Sequence, residues 1–185
     1  ILNTHIFSGA SIVTTKRSLL EKQFWNIFNY NRITNFSGVP SIYHIIKRFK
    51  LFKNFKKKVR FLTAAGGKLD KETLNYFAKK MHKTGNDFFY MYGQTEASPR
   101  MSFIKTKDIF KNKQSIGKAI SGGKFFIKDA NKQNIKQPYV SGILNYEGPN
   151  VMLGYVNNFK DLENFSKIKI LETGDIAYFN KKKFY

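Results

Sequence analysis

Three short β-prone runs before Arg100 each stop at glycine. Ile33 to Phe36 leads to Gly38, Val59 to Ala65 to Gly66-Gly67, and Phe88 to Tyr92 to Gly93. Helical patterns alternate with them. Leu20, Phe24, Ile27 and Phe28 form one apolar stripe. Pro40 stands where a first helical turn tolerates proline, with Ile42, Ile45, Ile46 and Phe49 at helical spacing behind it. Leu74, Phe77, Ala78 and Met81 mark a third helix. The basic, aromatic stretch from Leu51 to Lys58 reads as a surface connection. Such alternation predicts a parallel sheet covered by helices. Ligands of open α/β sheets bind beyond the carboxyl ends of the strands, where the three glycine-bearing loops would meet.

The pattern changes near Arg100. Phe125-Phe126-Ile127-Lys128, Val140 to Tyr146 and Leu171 to Phe179 are β-prone runs; Asp129-Ala130-Asn131-Lys132 and Gly148-Pro149-Asn150 form turns around them. Short strands with polar turns predict an antiparallel sheet or a partial barrel. The expected class is α/β: a partial three-layer parallel sheet with helices over 1–105, followed by a β-rich subdomain over 106–185.

The net charge of +21 raises the question of nucleic acid. Arginine, whose planar fork suits base edges and phosphates, occurs only at Arg17, Arg32, Arg48, Arg60 and Arg100; the remaining positive charge is lysine. Lysine, asparagine, isoleucine and phenylalanine in excess fit compositional drift better than a nucleic-acid surface, so no nucleic-acid partner is expected. Zero cysteines exclude disulfides, thiolate metal sites and a cysteine nucleophile. No export leader is visible and no apolar run approaches the roughly 20 residues of a membrane span, so a cytoplasmic location is expected. His5, His44 and His82 lack ligand spacing and read as structural or surface residues. The chain starts at Ile1 without an initiator Met and stops at Phe184-Tyr185 in a strand-like pattern. A piece of a longer protein is the expectation.

Residues Tyr90 to Glu96 read Tyr-Met-Tyr-Gly-Gln-Thr-Glu. They place aromatic rings, a flexible glycine, a hydroxyl and a carboxylate directly after an apolar run. A ring can stack on a base, a hydroxyl can donate to a phosphate oxygen, and a carboxylate can hold a hard divalent cation. Taken singly, Tyr92 is equally a core tyrosine ending a strand, Thr95 a turn hydroxyl, Glu96 a solvated acid and Asp175 a turn aspartate. Gly66-Gly67 is equally a plain strand-to-helix turn.

Five motifs in order resemble the adenylate-forming (AMP-binding) enzyme superfamily of acyl-CoA synthetases, aryl-CoA ligases, luciferases and peptide-synthetase adenylation domains. They are Ser37-Gly38-Val39-Pro40 with Tyr43, Ala65-Gly66-Gly67-Lys68-Leu69, Tyr92-Gly93-Gln94-Thr95-Glu96, Gly148-Pro149-Asn150-Val151-Met152 with Gly154-Tyr155, and Thr173-Gly174-Asp175. The resemblance covers most of the chain and points to an acyl-CoA synthetase-like member. It implies an ATP-dependent acid–thiol ligase that makes an acyl-adenylate and passes the acyl group to CoA or to a carrier protein's phosphopantetheine. A non-catalytic nucleotide-binding scaffold is the second reading, and a basic nucleic-acid-binding protein the third.

The resemblance also implies site roles. Thr95 would meet the α-phosphate and Glu96 would ligate Mg²⁺. Ala65, Gly66, Gly67, Tyr90, Met91, Tyr92, Gly93, Gln94 and Thr95 would line the nucleotide, with the ring of Tyr92 against adenine. Asp175 would accept from both ribose hydroxyls. Gly38, Val39 and Gly93 would border the acyl pocket. Lys118, after Ile116-Gly117, fits the family pattern without an assigned role. The family's glutamate is replaced in Gly142-Ile143-Leu144. Its upstream phosphate loop and its distal catalytic lysine are absent from these 185 residues, so little adenylation by this chain alone is expected.

Overall fold

A computed structural model describes residues 2–55, 59–112, 114–162 and 168–185. Its elements are α1 (Leu2–Phe7), α2 (Lys22–Tyr30), β1 (Asn35–Gly38), α3 (Pro40–Arg48), β2 (Phe61–Ala64), α4 (Lys71–Lys83), β3 (Asp87–Tyr92), β4 (Ser102–Lys105), α5 (Thr106–Ile109), β5 (Lys118–Ala119), β6 (Lys124–Lys128), β7 (Asn134–Ile135), β8 (Gly142–Glu147) and β9 (Ile170–Ala177). The first five strands form one sheet in sequential order. β1, β2 and β3 run parallel; β4 and β5 extend the sheet antiparallel.

Helix α4 shows how local signals become packing. Asp70 caps it, its carboxylate accepting from the Thr73 N–H at 2.8 Å. Glu72 lies in the first turn and Lys80 and Lys83 in the last, each favourable to the helix dipole. Leu74, Phe77, Ala78 and Met81 are buried. Phe77 meets Tyr43 of α3 with ring centroids 4.8 Å apart and Phe88 of β3 at 5.8 Å. Tyr43 is fully buried and donates to the Thr63 carbonyl at 2.7 Å. Burial pushes its phenol pKa up, although that hydrogen bond pulls the other way.

Some expected contacts move. In α2 the inward residues are Trp25 and Phe28, while Leu20, outside the helix, is 56% exposed. In α3 they are Tyr43 and Ile46; Phe49 ends the helix and is 50% exposed. The connection after Leu51 is not simply surface, because Phe52 and Phe55 pack against the first core; its end, Lys56 to Lys58, lies outside the described residues. The first core reaches Ile109 of α5, so this sheet and its core continue past residue 105.

The second sheet is antiparallel, ordered β7-β6-β8-β9, with β7 and β9 at its edges. It is an open sheet over its own core of Phe125, Ile127, Leu144, Tyr146, Val151, Leu171 and Phe179. Ala97 and Met101, from the loop after β3, are buried in that same core. The loop is thereby pinned between the sheets. Among the described residues no helix is long and apolar enough to cross a membrane.

Candidate nucleotide-binding site

Gly38, Ala65-Gly66-Gly67 and Gly93 follow the carboxyl ends of three adjacent parallel strands, since Gly38 pairs with Ala64 and Ala64 with Tyr90. The first two loops are tied together by the Ala65 N–H on the Gly38 carbonyl at 3.2 Å. The second is tied to β3, because the Tyr90 hydroxyl approaches the Leu69 N–H at 3.4 Å and the Gly67 carbonyl at 3.5 Å.

The chain then turns sharply. The Met101 N–H returns to the Tyr92 carbonyl at 3.0 Å. A side chain at Gly93 would collide with the Pro99 carbonyl, so this close approach demands glycine. Thr95 to Ala97 form one 3₁₀ turn.

Thr173 to Asp175 form a bulge in β9. Ile143 faces Ile176 and Asn145 faces Glu172, leaving Thr173, Gly174 and Asp175 against Leu144 alone. Gly174 takes φ +76°, a conformation open to glycine. The Thr173 hydroxyl donates to the Leu144 carbonyl at 2.9 Å and accepts from the Asp175 N–H at 3.1 Å. Bulges re-aim side chains beside functional sites, and this one turns Asp175 to the first sheet.

There Asp175 Oδ2 accepts from the Tyr92 hydroxyl at 2.5 Å and stands 3.5 Å from the Gln94 amide, which donates to the Thr173 carbonyl at 2.7 Å. Burial first, then the bond to the Asp175 carboxylate, pushes the Tyr92 phenol pKa well up, so the phenol stays a donor. The Tyr92 ring leans on Phe125 with centroids 6.2 Å apart. Beside this junction opens a groove of about 460 Å³ lined by Gln94, Thr95, Glu96, Tyr155, Leu171, Glu172 and Thr173. Glu96 accepts from the Tyr155 hydroxyl at 2.7 Å, and this bond, with a backbone N–H, holds its carboxyl below the usual range.

The structure thus gathers Tyr92, Gln94, Thr95, Glu96 and Asp175 around one junction. Tyr90 is buried below it, and Met91 shows the sheet's other face, opposite Phe103. Ala65, Gly66, Gly67, Gly38 and Val39 border the same sheet edge outside the groove lining. Tyr155 and Glu172 complete the groove. Sequence reasoning gave them no role, although Tyr155 ends a motif and Glu172 immediately precedes another. Glu96, Glu172 and Asp175 concentrate acid here in a chain with only 12 Asp and Glu.

The model of the AMP-binding enzyme family matches residues 1–156. The chain belongs to that family. Among curated relatives of this AMP-binding chain, 4-coumarate–CoA ligase-like 9 of Arabidopsis thaliana is 28% identical over 95% of the chain and 31% of its own length. Oxalate–CoA ligase of Saccharomyces cerevisiae is 30% identical over 88% of the chain and 29% of its own length. The chain therefore spans less than a third of either. The fold is similar to that of o-succinylbenzoate coenzyme A synthetase from Bacillus subtilis, solved with ATP and magnesium ion, at TM-score 0.79 and 22% identity over 99% of this chain and 37% of that one.

Proposed function

We propose that this chain forms the nucleotide- and carboxylate-activating centre of an ATP-dependent acid–CoA ligase. The observation that supports the reading best is the Tyr92–Asp175 hydrogen bond with Gln94 beside it. It joins an aromatic face, a carboxylate suited to a cis-diol and the Thr95-Glu96 turn at one groove. Stacking on Tyr92 contributes about 1–3 kcal/mol and tolerates any base. Asp175 has acceptor capacity for the ribose hydroxyls. A carboxylate oxygen of the substrate then attacks the α-phosphorus, the bond to the β-bridging oxygen breaks, and pyrophosphate leaves. The Thr95 hydroxyl donates to the α-phosphate as negative charge grows there. Transfer of the acyl group to the CoA sulfur releases AMP.

The donors suit a hard cation. Glu96 is a carboxylate at the groove, and among the described residues no three His, Cys, Asp or Glu side chains assemble a cage. Mg²⁺ fits such a place, because it takes one or two carboxylates and fills its shell with phosphate oxygens and water. When bound, it neutralises charge on the phosphates.

The test is hydroxamate trapping by the full-length protein over a panel of carboxylic acids. We expect acid-dependent hydroxamate, an ATP KM raised about 10-fold by Asp175→Ala, and a kcat lowered about 100-fold by Glu96→Ala. Wild-type kinetics in both variants would remove the assignment.

A further inference from the structure

The segment Gly148 to Tyr155 is strapped across the Thr95-Glu96 turn. The Met152 N–H donates to the Glu96 carbonyl at 2.7 Å. The Asn150 amide bridges two more carbonyls of the same loop, Ala97 at 2.5 Å and Arg100 at 3.0 Å. The Tyr146 hydroxyl, donating to Asn150 Oδ1 at 2.9 Å, orients that amide. Val151 is buried between these anchors. The backbone of the turn is therefore held by Asn150 and Met152. Tyr155 does something separate: its hydroxyl reaches the Glu96 side chain, at 2.7 Å. Tyr155 is 67% exposed and lines the groove, so core packing does not explain its position.

From this geometry we infer that Tyr155 is a positioning residue for the cation-binding carboxylate, an inference that rests on the reading of Glu96 proposed above. A carboxylate has two oxygens. Tyr155 engages Oε1, which fixes the rotamer and presents Oε2 to the cation. Without the phenol, the Glu96 side chain, which faces the open groove, swings among rotamers and meets the cation with poor geometry. Partners that orient a metal-binding carboxylate commonly change metal affinity or activity about 10- to 100-fold when removed. The strap thus has two tasks: Asn150 and Met152 set the backbone, and Tyr155 sets the ligand.

The decisive experiment is Tyr155→Phe in the full-length protein. Mn²⁺ binding in the presence of a non-hydrolysable ATP analogue is followed by the paramagnetic resonance of free Mn²⁺. The expected result is a Kd for Mn²⁺ raised about 10-fold at an unchanged thermal midpoint. The Mg²⁺ concentration for half-maximal pyrophosphate exchange should rise in parallel, with the KM for the acid within about twofold of wild type. In a Glu96→Gln background, Tyr155→Phe should weaken Mn²⁺ no further. If Glu96→Gln weakens Mn²⁺ but Tyr155→Phe leaves it unchanged, the positioning role is wrong and the proposed function stands. If Glu96→Gln also leaves Mn²⁺ binding unchanged, the metal-ligand reading falls and this inference falls with it.

Discussion

At the scale of single residues, side chains that look ordinary in sequence are set by their neighbours across the fold. Gly93 lies where the chain passes against the Pro99 carbonyl, and an added methyl would overlap the Pro99–Arg100 backbone. Gly93→Ala should therefore destabilise the protein at or above the roughly 1–3 kcal/mol typical of overpacking. A urea titration checks it, and an unchanged midpoint would show that the loop yields. Gln94 fills the variable place of its motif, yet its amide is the link to the Thr173 carbonyl. Nothing local announces this, because the two residues are 79 positions apart. Tyr155 was equally unreadable: its bond to Glu96 spans 59 positions. Tyr92, Thr95, Glu96 and Asp175 were legible as candidates because the motifs that contain them resemble those of the AMP-binding family and their functional groups suit a nucleotide.

At the scale of elements, the stripe of Leu74, Phe77, Ala78 and Met81 became the buried face of α4, and the structure adds Asp70 as its cap. Removing that carboxylate with Asp70→Ala should cost about 1 kcal/mol, within the 0.5–2 kcal/mol range of such caps, measurable by denaturant unfolding. Burial disfavours the Asp70 anion, but the Thr73 N–H and hydroxyl, with His44 and Lys47 nearby, outweigh it and hold the carboxyl below its usual range. A depressed folded-state pKa makes the cap's contribution complete above the unfolded carboxyl pKa and lost as pH falls through the lower folded value. The wild-type advantage over Asp70→Ala should thus vanish in acid and persist at neutral pH. Shorter elements resisted reading. β5 and β7 have two residues each, too few for a period. The β9 bulge exists only against β8, since Thr173 to Asp175 become surplus only when the partner strand supplies Leu144 alone.

At the scale of the whole molecule, charge is the dominant liability. Against 33 Lys and Arg stand 12 Asp and Glu, and three of those acids gather at or beside the groove. Self-repulsion opposes the compact state and is screened by salt. Raising NaCl from about 0.05 M to about 0.5 M should lift Tm by about 2–4 °C, roughly 1 kcal/mol for a chain of this size; a scanning calorimeter reads the shift, and a lowered Tm would show that attractive pairs dominate instead. The two cores meet where Ala97 and Met101, from the first sheet's loop, enter the second. The sequence by itself determined the alternation of helix and strand around β1 to β3 and the apolar face of α4, because periodicity and glycine breaks act within a few residues, and its motifs named the candidate site residues through their resemblance to the AMP-binding family. Only the tertiary structure decided that Asp175 reaches Tyr92, that Gln94 joins the sheets and that Tyr155 holds Glu96. Those contacts depend on how two sheets pack, and no local pattern encodes the distance between residues that the chain keeps far apart.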